Sequence, residues 1–189
     1  KFVAFTSPVT ASAVFARSYT VERGCVASYS VVKANNSVYW LGRDGVFYGL
    51  AGVEPQVMSK SVQREINALA VKSDCYGLEF PQENAIRWFF PTHGRCFRFD
   101  YFLGAFYEDN SWETGQWTRL PVNSAMFLDG KTYVGDYDPT GKVYEWGIGH
   151  LSDAGREIRV HRRFAVQLSD NGNQARVNRL QFRVKRGVA

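Results

Sequence analysis

The stretch IRWFFPTHGRCFRF, residues 86–99, indicates the fold class. Two aromatic segments rich in strand-forming residues flank the tetrapeptide Pro-Thr-His-Gly. Proline presets one backbone angle of a tight turn, and glycine accepts a conformation that other residues avoid. The stretch therefore predicts a β-hairpin whose turn closes at Gly94.

Two other stretches have the same plan. VYWLGRDGVFY at 38–48 turns at Gly45, and TYVGDYDPTGKVYEW at 132–146 turns at Gly141, so successive turns are 49 and 47 residues apart. A repeat of this length, built from short strands and glycine turns, is typical of β-propeller blades. The predicted fold is all-β and β-propeller-like, with short antiparallel strands in blade-like repeats. Two alternatives stay open: an incomplete propeller, and an antiparallel protein whose equal spacing arose by chance.

One segment departs from the strand pattern. Val62, Ile66 and Leu69 are spaced by four and then three residues, which predicts a short amphipathic helix near 60–71 that packs against the side of a sheet. Ser59 or Ser61 is predicted to cap its first turn.

The composition is that of a globular protein. Hydrophobic residues make up 45% and charged residues 22%, and no run of 18 apolar residues is present, which excludes a membrane-spanning helix. Cys25, Cys75 and Cys96 are an odd number without metal-site spacing, so buried free thiols are expected. The chain begins at Lys1 with a strand-like segment and no signal peptide, and we expect it to be part of a longer protein.

The net charge of +5 is unevenly distributed. Residues 1–155, the predicted propeller-like blades, hold 14 basic and 16 acidic side chains, whereas residues 156–189 hold nine basic and two acidic ones. In that last segment, apolar positions alternate on both sides of Asn171-Gly172, which predicts a basic β-hairpin. Its charged face carries Arg159, His161, Arg163, Arg179, Arg183 and Lys185. These six residues are the candidate contacts to DNA phosphates or to an acidic protein neighbour.

Sequence motifs for catalysis are missing. The chain has no GxSxG elbow, phosphate-binding loop or EF-hand loop, and His93, His150 and His161 lie in separate contexts. We therefore expect no catalytic residue, no metal site, no cofactor and no enzymatic activity.

A glycan-binding or glycan-cleaving site is the first alternative. Glu108 and Asp109 lead towards Trp112 and Trp117, and Asp136 and Asp138 are a second carboxylate pair. The competing interpretation is structural. Aspartates at 136 and 138 suit a turn, and the two tryptophans would pack across the strands of another hairpin.

Two segments resemble a known family. ERGCVASYSV at 22–31 and NSVYWLGRDGV at 36–46 resemble the packaged DNA stabilisation proteins, also called tail hub or tail nozzle proteins, of short-tailed double-stranded DNA phages. The family pattern reads E-R-G-C-x-A-P-Y-S-V and then N-S-x-x-W-L-G-x-D-G, and Ser28 replaces its proline. The stretches 133–137, 141–145 and 180–187 are also similar to that family.

The resemblance implies a structural virion protein. Such a protein would join a homo-oligomeric ring below the portal and adaptor, contact other tail proteins, form part of the DNA channel and help to retain packaged DNA. It would be assembled in the host cytoplasm, and no catalytic residue comes with the family. A generic β-propeller interaction scaffold is the second alternative.

Overall fold

A computed structural model of the protein describes residues 2–6, 16–21, 23–52, 54–137, 141–147, 152–153 and 156–157. The chain divides into two compact units, Lys1–Ile148 and Gly149–Ala189. Antiparallel strands dominate the described residues, and the α-helix among them is limited to one short segment. The prediction of an all-β protein with one short helix is confirmed at this level.

The first strands form a hairpin and then a four-stranded sheet. Strands β1 (Phe2–Thr6) and β2 (Ala16–Val21) pair with each other. The first sheet is an antiparallel meander in which chain order and spatial order agree. Its strands are β3 (Val32–Ala34), β4 (Ser37–Leu41), β5 (Phe47–Leu50) and β6 (Gln56–Val57).

The second sheet repeats this meander. Its strands are β7 (Tyr76–Phe80), β8 (Ala85–Phe90), β9 (Arg95–Asp100) and β10 (Ala105–Glu108). All six residues of β8 are buried, so this strand lies at the centre of the sheet stack rather than on a half-exposed surface.

A small hairpin and a third sheet follow. Strands β11 (Ser111–Glu113) and β12 (Gln116–Thr118) form the hairpin. The third sheet contains β13 (Ser124–Leu128), β14 (Lys131–Gly135) and β15 (Val143–Trp146) in that spatial order. Beyond it, β16 (Ser152–Asp153) pairs with β17 (Arg156–Glu157).

The glycines that were predicted to close the hairpin turns have the backbone conformation that such turns require. Gly45, Gly94 and Gly141 all have positive φ, which glycine adopts without steric cost. Asp129 and Gly130 both have positive φ between β13 and β14, as a type I′ hairpin turn requires. The three predicted hairpins are therefore confirmed as β4–β5, β8–β9 and β14–β15.

The predicted helix is shorter than expected. A 3₁₀ turn over Ser59–Val62 precedes helix α1, which covers only Gln63–Asn67, and neither has a side-chain cap. The Ser59 hydroxyl instead accepts a 3.0 Å hydrogen bond from the Phe47 backbone amide and donates a 2.7 Å bond to Gln63 Oε1. The cap prediction is wrong for Ser59, because its hydroxyl is hydrogen-bonded to Phe47 of the first sheet instead of to a helix amide. The predicted packing is confirmed, since Val62, Ile66 and Leu69 join the core between the sheets.

The second sheet is buried on both faces. Ile86, Trp88 and Phe90 point into a core shared with the first sheet and α1. Phe89 and Cys96 point to the opposite side, into a core shared with Val134 of the third sheet. The alternation follows the two-residue period of a strand, and it makes the second sheet the middle layer of a stack.

The first strands of the three sheets lie beside one another, because β7 contacts β3 on one side and β13 on the other. Because Gly77 on β7 has no side chain, β7 can pack directly against Val32 of β3. A Cβ atom there would overlap Val32 Cγ2 and lie 2.7 Å from Trp88 Nε1.

Among the described residues, no helix has the length and hydropathy needed to cross a bilayer.

Candidate interaction surfaces

The predicted basic face lies outside the described residues. This holds for Arg159, His161, Arg163, Arg179, Arg183 and Lys185. Of the segment 156–189, only β17 at its start is described. The six residues therefore remain sequence-based candidates.

Residues 23–46 form a hydrogen-bonded joint. The buried Ser30 hydroxyl accepts a 3.1 Å bond from the Leu41 amide and donates a 2.7 Å bond to the Ala27 carbonyl. The Cys25 thiol donates to the same carbonyl at 2.7 Å. A single serine thus ties the loop before β3 to the end of β4.

The joint continues into the second sheet. Trp88 on β8 donates a 2.9 Å hydrogen bond from its indole nitrogen to the Ser30 carbonyl. The chain around Cys25 also pairs with Gly42 as an isolated β-bridge. The bond between Ser30 and Trp88 holds the first two sheets together, and the Cys25–Gly42 bridge fixes the loop before β3 against the chain that follows β4.

Gly42 and Asp44, which lie between β4 and β5, contact the side chain of Tyr48. A Cβ at Gly42 would lie 2.7 Å from Tyr48 Cε2, so the ring needs glycine there. The Tyr48 hydroxyl donates a 2.5 Å hydrogen bond to Asp44 Oδ2. Burial, together with the bond to this carboxylate, raises the pKa of Tyr48. The Tyr48 ring stacks on fully buried Trp40 at 5.7 Å between centroids.

A buried charge network lies between the second and third sheets. Arg87 is 3% exposed and donates to Glu83 at 2.7 Å and to Asp109 at 2.8 Å. Its guanidinium lies 4.3 Å from the Phe80 ring centroid and 4.9 Å from that of Trp146. The Trp146 indole in turn donates to Glu83.

The protonation of this network follows from its contacts. Burial alone would lower the pKa of Arg87, but the carboxylates of Asp109 and Glu83 outweigh it, and the pKa is raised. Burial alone would raise the pKa of Glu83, but the charge of Arg87, the hydrogen bonds and Arg98 lower it. Both groups are therefore held in their charged forms, and the network joins the sheets without offering a group of shifted reactivity.

Two carboxylates of the predicted glycan site, those of Glu108 and Asp109, form ion pairs with arginines. Glu108 forms a two-pronged ion pair with Arg95, with both nitrogen–oxygen distances 2.7 Å, and Asp109 binds Arg87. Trp112 and Trp117 face each other across β11 and β12, with ring centroids 4.9 Å apart in an edge-to-face arrangement. The structural interpretation of the two tryptophans is confirmed. Asp138 lies outside the described residues.

The cysteines and His93 are used in the fold. All three cysteines are free, and Cys75 and Cys96 are buried as predicted. Cys25 is only partly buried, so the expectation is wrong for this thiol. His93 lies in the predicted turn, where its Nε2 accepts a 3.0 Å hydrogen bond from the Val71 amide and so joins two loops. Among the described residues, no group of three or more His, Cys, Asp and Glu side chains is placed to hold a metal ion.

The turn between β9 and β10 presents two apolar side chains to solvent. Phe102 is 82% and Leu103 63% exposed. Both belong to Tyr101–Gly104, which we call the apolar turn. Sequence patterning did not single them out, although two adjacent large apolar residues between strands were a usable signal.

The third sheet has a second exposed apolar surface. Its inner face, with Val134, Tyr144 and Trp146, packs on the second sheet. Alternate residues form what we call the outer face, and these include Met126 at 58%, Leu128 at 50% and Val143 at 68% exposure. Lys131 and Glu145 on this face form a 3.0 Å ion pair with each other.

Comparison with known proteins adds no relative to these observations: no protein family, no curated protein and no solved structure matches this chain.

Proposed function

We propose that this chain is a structural, non-catalytic component of a short phage tail. It would form part of the hub or nozzle below the portal and adaptor, as one member of a homo-oligomeric ring in the virion. In that position it would line part of the DNA channel and help to retain packaged DNA. The proposal starts from the resemblance of residues 22–46 to tail hub proteins.

The observation that carries the proposal is the stack of three meander sheets with adjacent first strands. The first two sheets have four strands each, in chain order. Strand β7 lies between β3 and β13, so the sheets converge along their first strands. Blades of four antiparallel strands arranged around a central axis define a propeller, and this arrangement is what we expect of consecutive blades.

The use of the resembling residues also favours a structural role. Ser30, Leu41 and Trp88 form a hydrogen-bonded joint between two sheets. Residues in such a joint fix the position of one sheet relative to the other. A ring subunit needs this rigidity to present the same surfaces to its neighbours. The glycan alternative is less well supported, since Glu108 and Asp109 are each paired with an arginine.

DNA contact is assigned to the basic hairpin. Arg159, Arg163, Arg179, Arg183 and Lys185, with His161, would neutralise phosphates without reading bases. The remainder of the chain is slightly acidic, so the excess positive charge is concentrated in this segment. Charge on the channel wall would then modulate how DNA is held and released.

Assembly and DNA contact are tested separately. Native mass spectrometry and electron microscopy of the protein should show a ring of fixed copy number, and a protein that stays monomeric together with portal and adaptor proteins would refute the hub assignment. For DNA, we expect Arg179→Ser, Arg183→Ser and Lys185→Ser together to reduce the slope of log K against log salt by roughly 3. The control changes Lys33, Lys60 and Lys142 to Ser, which removes the same charge from exposed sites. Equal slopes for the two triple variants would remove DNA as the partner of the hairpin.

A further inference from the structure

We infer that Arg119 is a binding site for a carboxylate group of another molecule, with Tyr76 and Tyr137 holding its guanidinium group in place. The inference does not depend on the proposed role in a phage tail. It is carried by an arginine that the fold encloses in part without giving it an acidic partner.

Arg119 differs from the other enclosed arginines. Three other arginines of the described residues are wholly or partly buried, and each forms ion pairs. These pairs are Arg87 with Glu83 and Asp109, Arg95 with Glu108, and Arg98 with Glu83 and Asp100. Arg119 is also partly buried, but it forms an ion pair with none of the carboxylates in the part of the chain that the structure describes. Removing a cation from water costs free energy that a carboxylate normally offsets, so Arg119 is prepared to accept one.

The guanidinium group of Arg119 is held before any ligand arrives. Its Nη2 donates a 2.9 Å hydrogen bond to the Tyr76 hydroxyl, which in turn donates a 2.7 Å bond to the Val122 carbonyl. The ring centroid of Tyr137 lies 4.8 Å from the guanidinium carbon. Little side-chain entropy is therefore lost when an anion binds.

These contacts leave the positive charge of Arg119 uncompensated. Burial raises the pKa of Tyr76 even though the charge of Arg119 and its hydrogen bond lower it, so the phenol is neutral at neutral pH. The Nε of Arg119 is buried and has no acceptor among the described residues, whereas Nη1 is not enclosed in this way. A ligand therefore reaches the group through Nη1 and the second N–H of Nη2. Two neighbouring guanidinium nitrogens match the two oxygens of a carboxylate.

The surroundings of Arg119 favour a single carboxylate over a nucleic acid. A nucleic acid is held by several cations spaced along its phosphates, but Arg119 is one cation between two tyrosines. Tyr137 is 50% exposed, so its ring can also cover the apolar part of a ligand. The carboxylate can belong to a small acid or to an acidic side chain of another protein, and two probes separate these sources.

Nuclear magnetic resonance titration of the whole chain tests the site. The reporter is the Nε–H signal of Arg119, identified by its loss in Arg119→Lys. The probes are sodium acetate, inorganic phosphate, and the peptide acetyl-Gly-Glu-Gly-amide with its uncharged match acetyl-Gly-Gln-Gly-amide, with chloride keeping the ionic strength constant. In Arg119→Gln the backbone amide of Val122 is followed instead. The control variant Arg64→Gln removes an exposed arginine of α1.

Acetate should shift the Arg119 signal saturably, with a dissociation constant of roughly 10 mM. Arg64→Gln should bind alike, Arg119→Gln should lose about tenfold or more in affinity, and the glutamine peptide should not saturate. A glutamate peptide that binds at least threefold tighter than acetate assigns the carboxylate to a protein, and equal affinity assigns it to a small acid. If Arg119→Gln does not fold, Tyr137→Leu replaces it and should lose at least threefold.

Three results would overturn the inference. The first is a linear shift with acetate that chloride reproduces. The second is unchanged acetate affinity in Arg119→Gln or, where that variant does not fold, in Tyr137→Leu. The third is phosphate that binds more tightly than acetate, which would make the site one for phosphate groups.

Discussion

The indole nitrogen of Trp88 donates a 2.9 Å hydrogen bond to the backbone carbonyl of Ser30, which precedes it by 58 residues. Both residues are fully buried. The Ser30 hydroxyl meanwhile binds the Ala27 carbonyl and the Leu41 amide. This pair of residues joins the loop before β3 to β8, an inner strand of the second sheet.

Replacing Trp88 by phenylalanine should break this joint. The change leaves the Ser30 carbonyl buried without its donor, which costs about 1–3 kcal/mol of unfolding free energy before any loss of packing. Urea denaturation followed by far-ultraviolet circular dichroism measures the effect. Trp117→Phe is the control, since Trp117 is 42% exposed and the new ring can still pair with Trp112. Equal losses for the two variants would contradict the role of the Trp88–Ser30 bond.

Gly77 should not tolerate a side chain. The added methyl group of Gly77→Ala would overlap Val32 and crowd Trp88, and such overpacking costs about 1–3 kcal/mol. Val32→Ala in the same chain should recover part of this loss, so a double-mutant cycle should give a coupling energy of about 0.5 kcal/mol or more. Gly52→Ala, where an added Cβ meets nothing within 4 Å, serves as the control. Strict additivity of the two changes would argue against a direct Gly77–Val32 contact.

The buried network should be sensitive to loss of its arginine. Arg87→Met leaves Glu83 and Asp109 without their main partner, and breaking a buried ion pair costs about 3–5 kcal/mol. Arg95→Met is the matched control, because its pair with Glu108 is partly exposed and should contribute at most about 1 kcal/mol. Chemical denaturation at neutral pH compares the two variants, and similar losses would show that burial of the network is energetically unimportant.

The same network predicts a pH dependence. The pKa of Glu83 is lower in the folded state than its ordinary value of 4.5, so its contribution to stability is present above that value and is lost as pH falls through the folded pKa. In Arg87→Met the main charge that lowers this pKa is gone, and protonation of the carboxylate relieves its unpaired charge. The stability difference between wild type and Arg87→Met should therefore narrow from pH 7 to pH 4. A difference that stays constant would show that Glu83 does not titrate with the network.

The thiols should react in a fixed order. Burial raises the pKa of Cys75 and of Cys96 well above the ordinary value and also blocks access to them. Cys25 is only partly buried. With a thiol reagent at neutral pH, mass spectrometry of peptides should find Cys25 modified first, and the other two only after denaturant is added. Early modification of Cys75 or Cys96 in the native protein would contradict the burial of these residues.

Local chemistry made the hairpins predictable. Gly94 ends a 3₁₀ turn that begins at Pro91, and both residues have the conformations that their covalent structures favour. The turn between β7 and β8 repeats this design, with Pro81 at its start and Asn84 at positive φ at its end. The similarity of FPQEN at 80–84 to FPTHG at 90–94 is the signal that would have predicted β7.

Other features depended on contacts between distant residues. Ser59 and Phe47 are 12 positions apart, and their hydrogen bond uses the hydroxyl that the sequence predicted as a helix cap. Glu108 was a candidate acid for a glycan site until the β8–β10 strands placed Arg95 beside it. A sequence pattern cannot show which of many arginines a carboxylate will meet, because that choice follows from sheet register and stacking.

By itself, the sequence determined the all-β class, the hairpin turns and the concentration of positive charge after residue 155. Each of these follows from residue type or from spacing within a few positions, through backbone sterics and the two-residue period of strands. Tertiary structure alone decided that β8 is buried on both faces, that Arg87 is enclosed between two sheets, and that Phe102 and Met126 stay exposed. Those outcomes depend on which faces stack on each other, and stacking is a property of the whole chain.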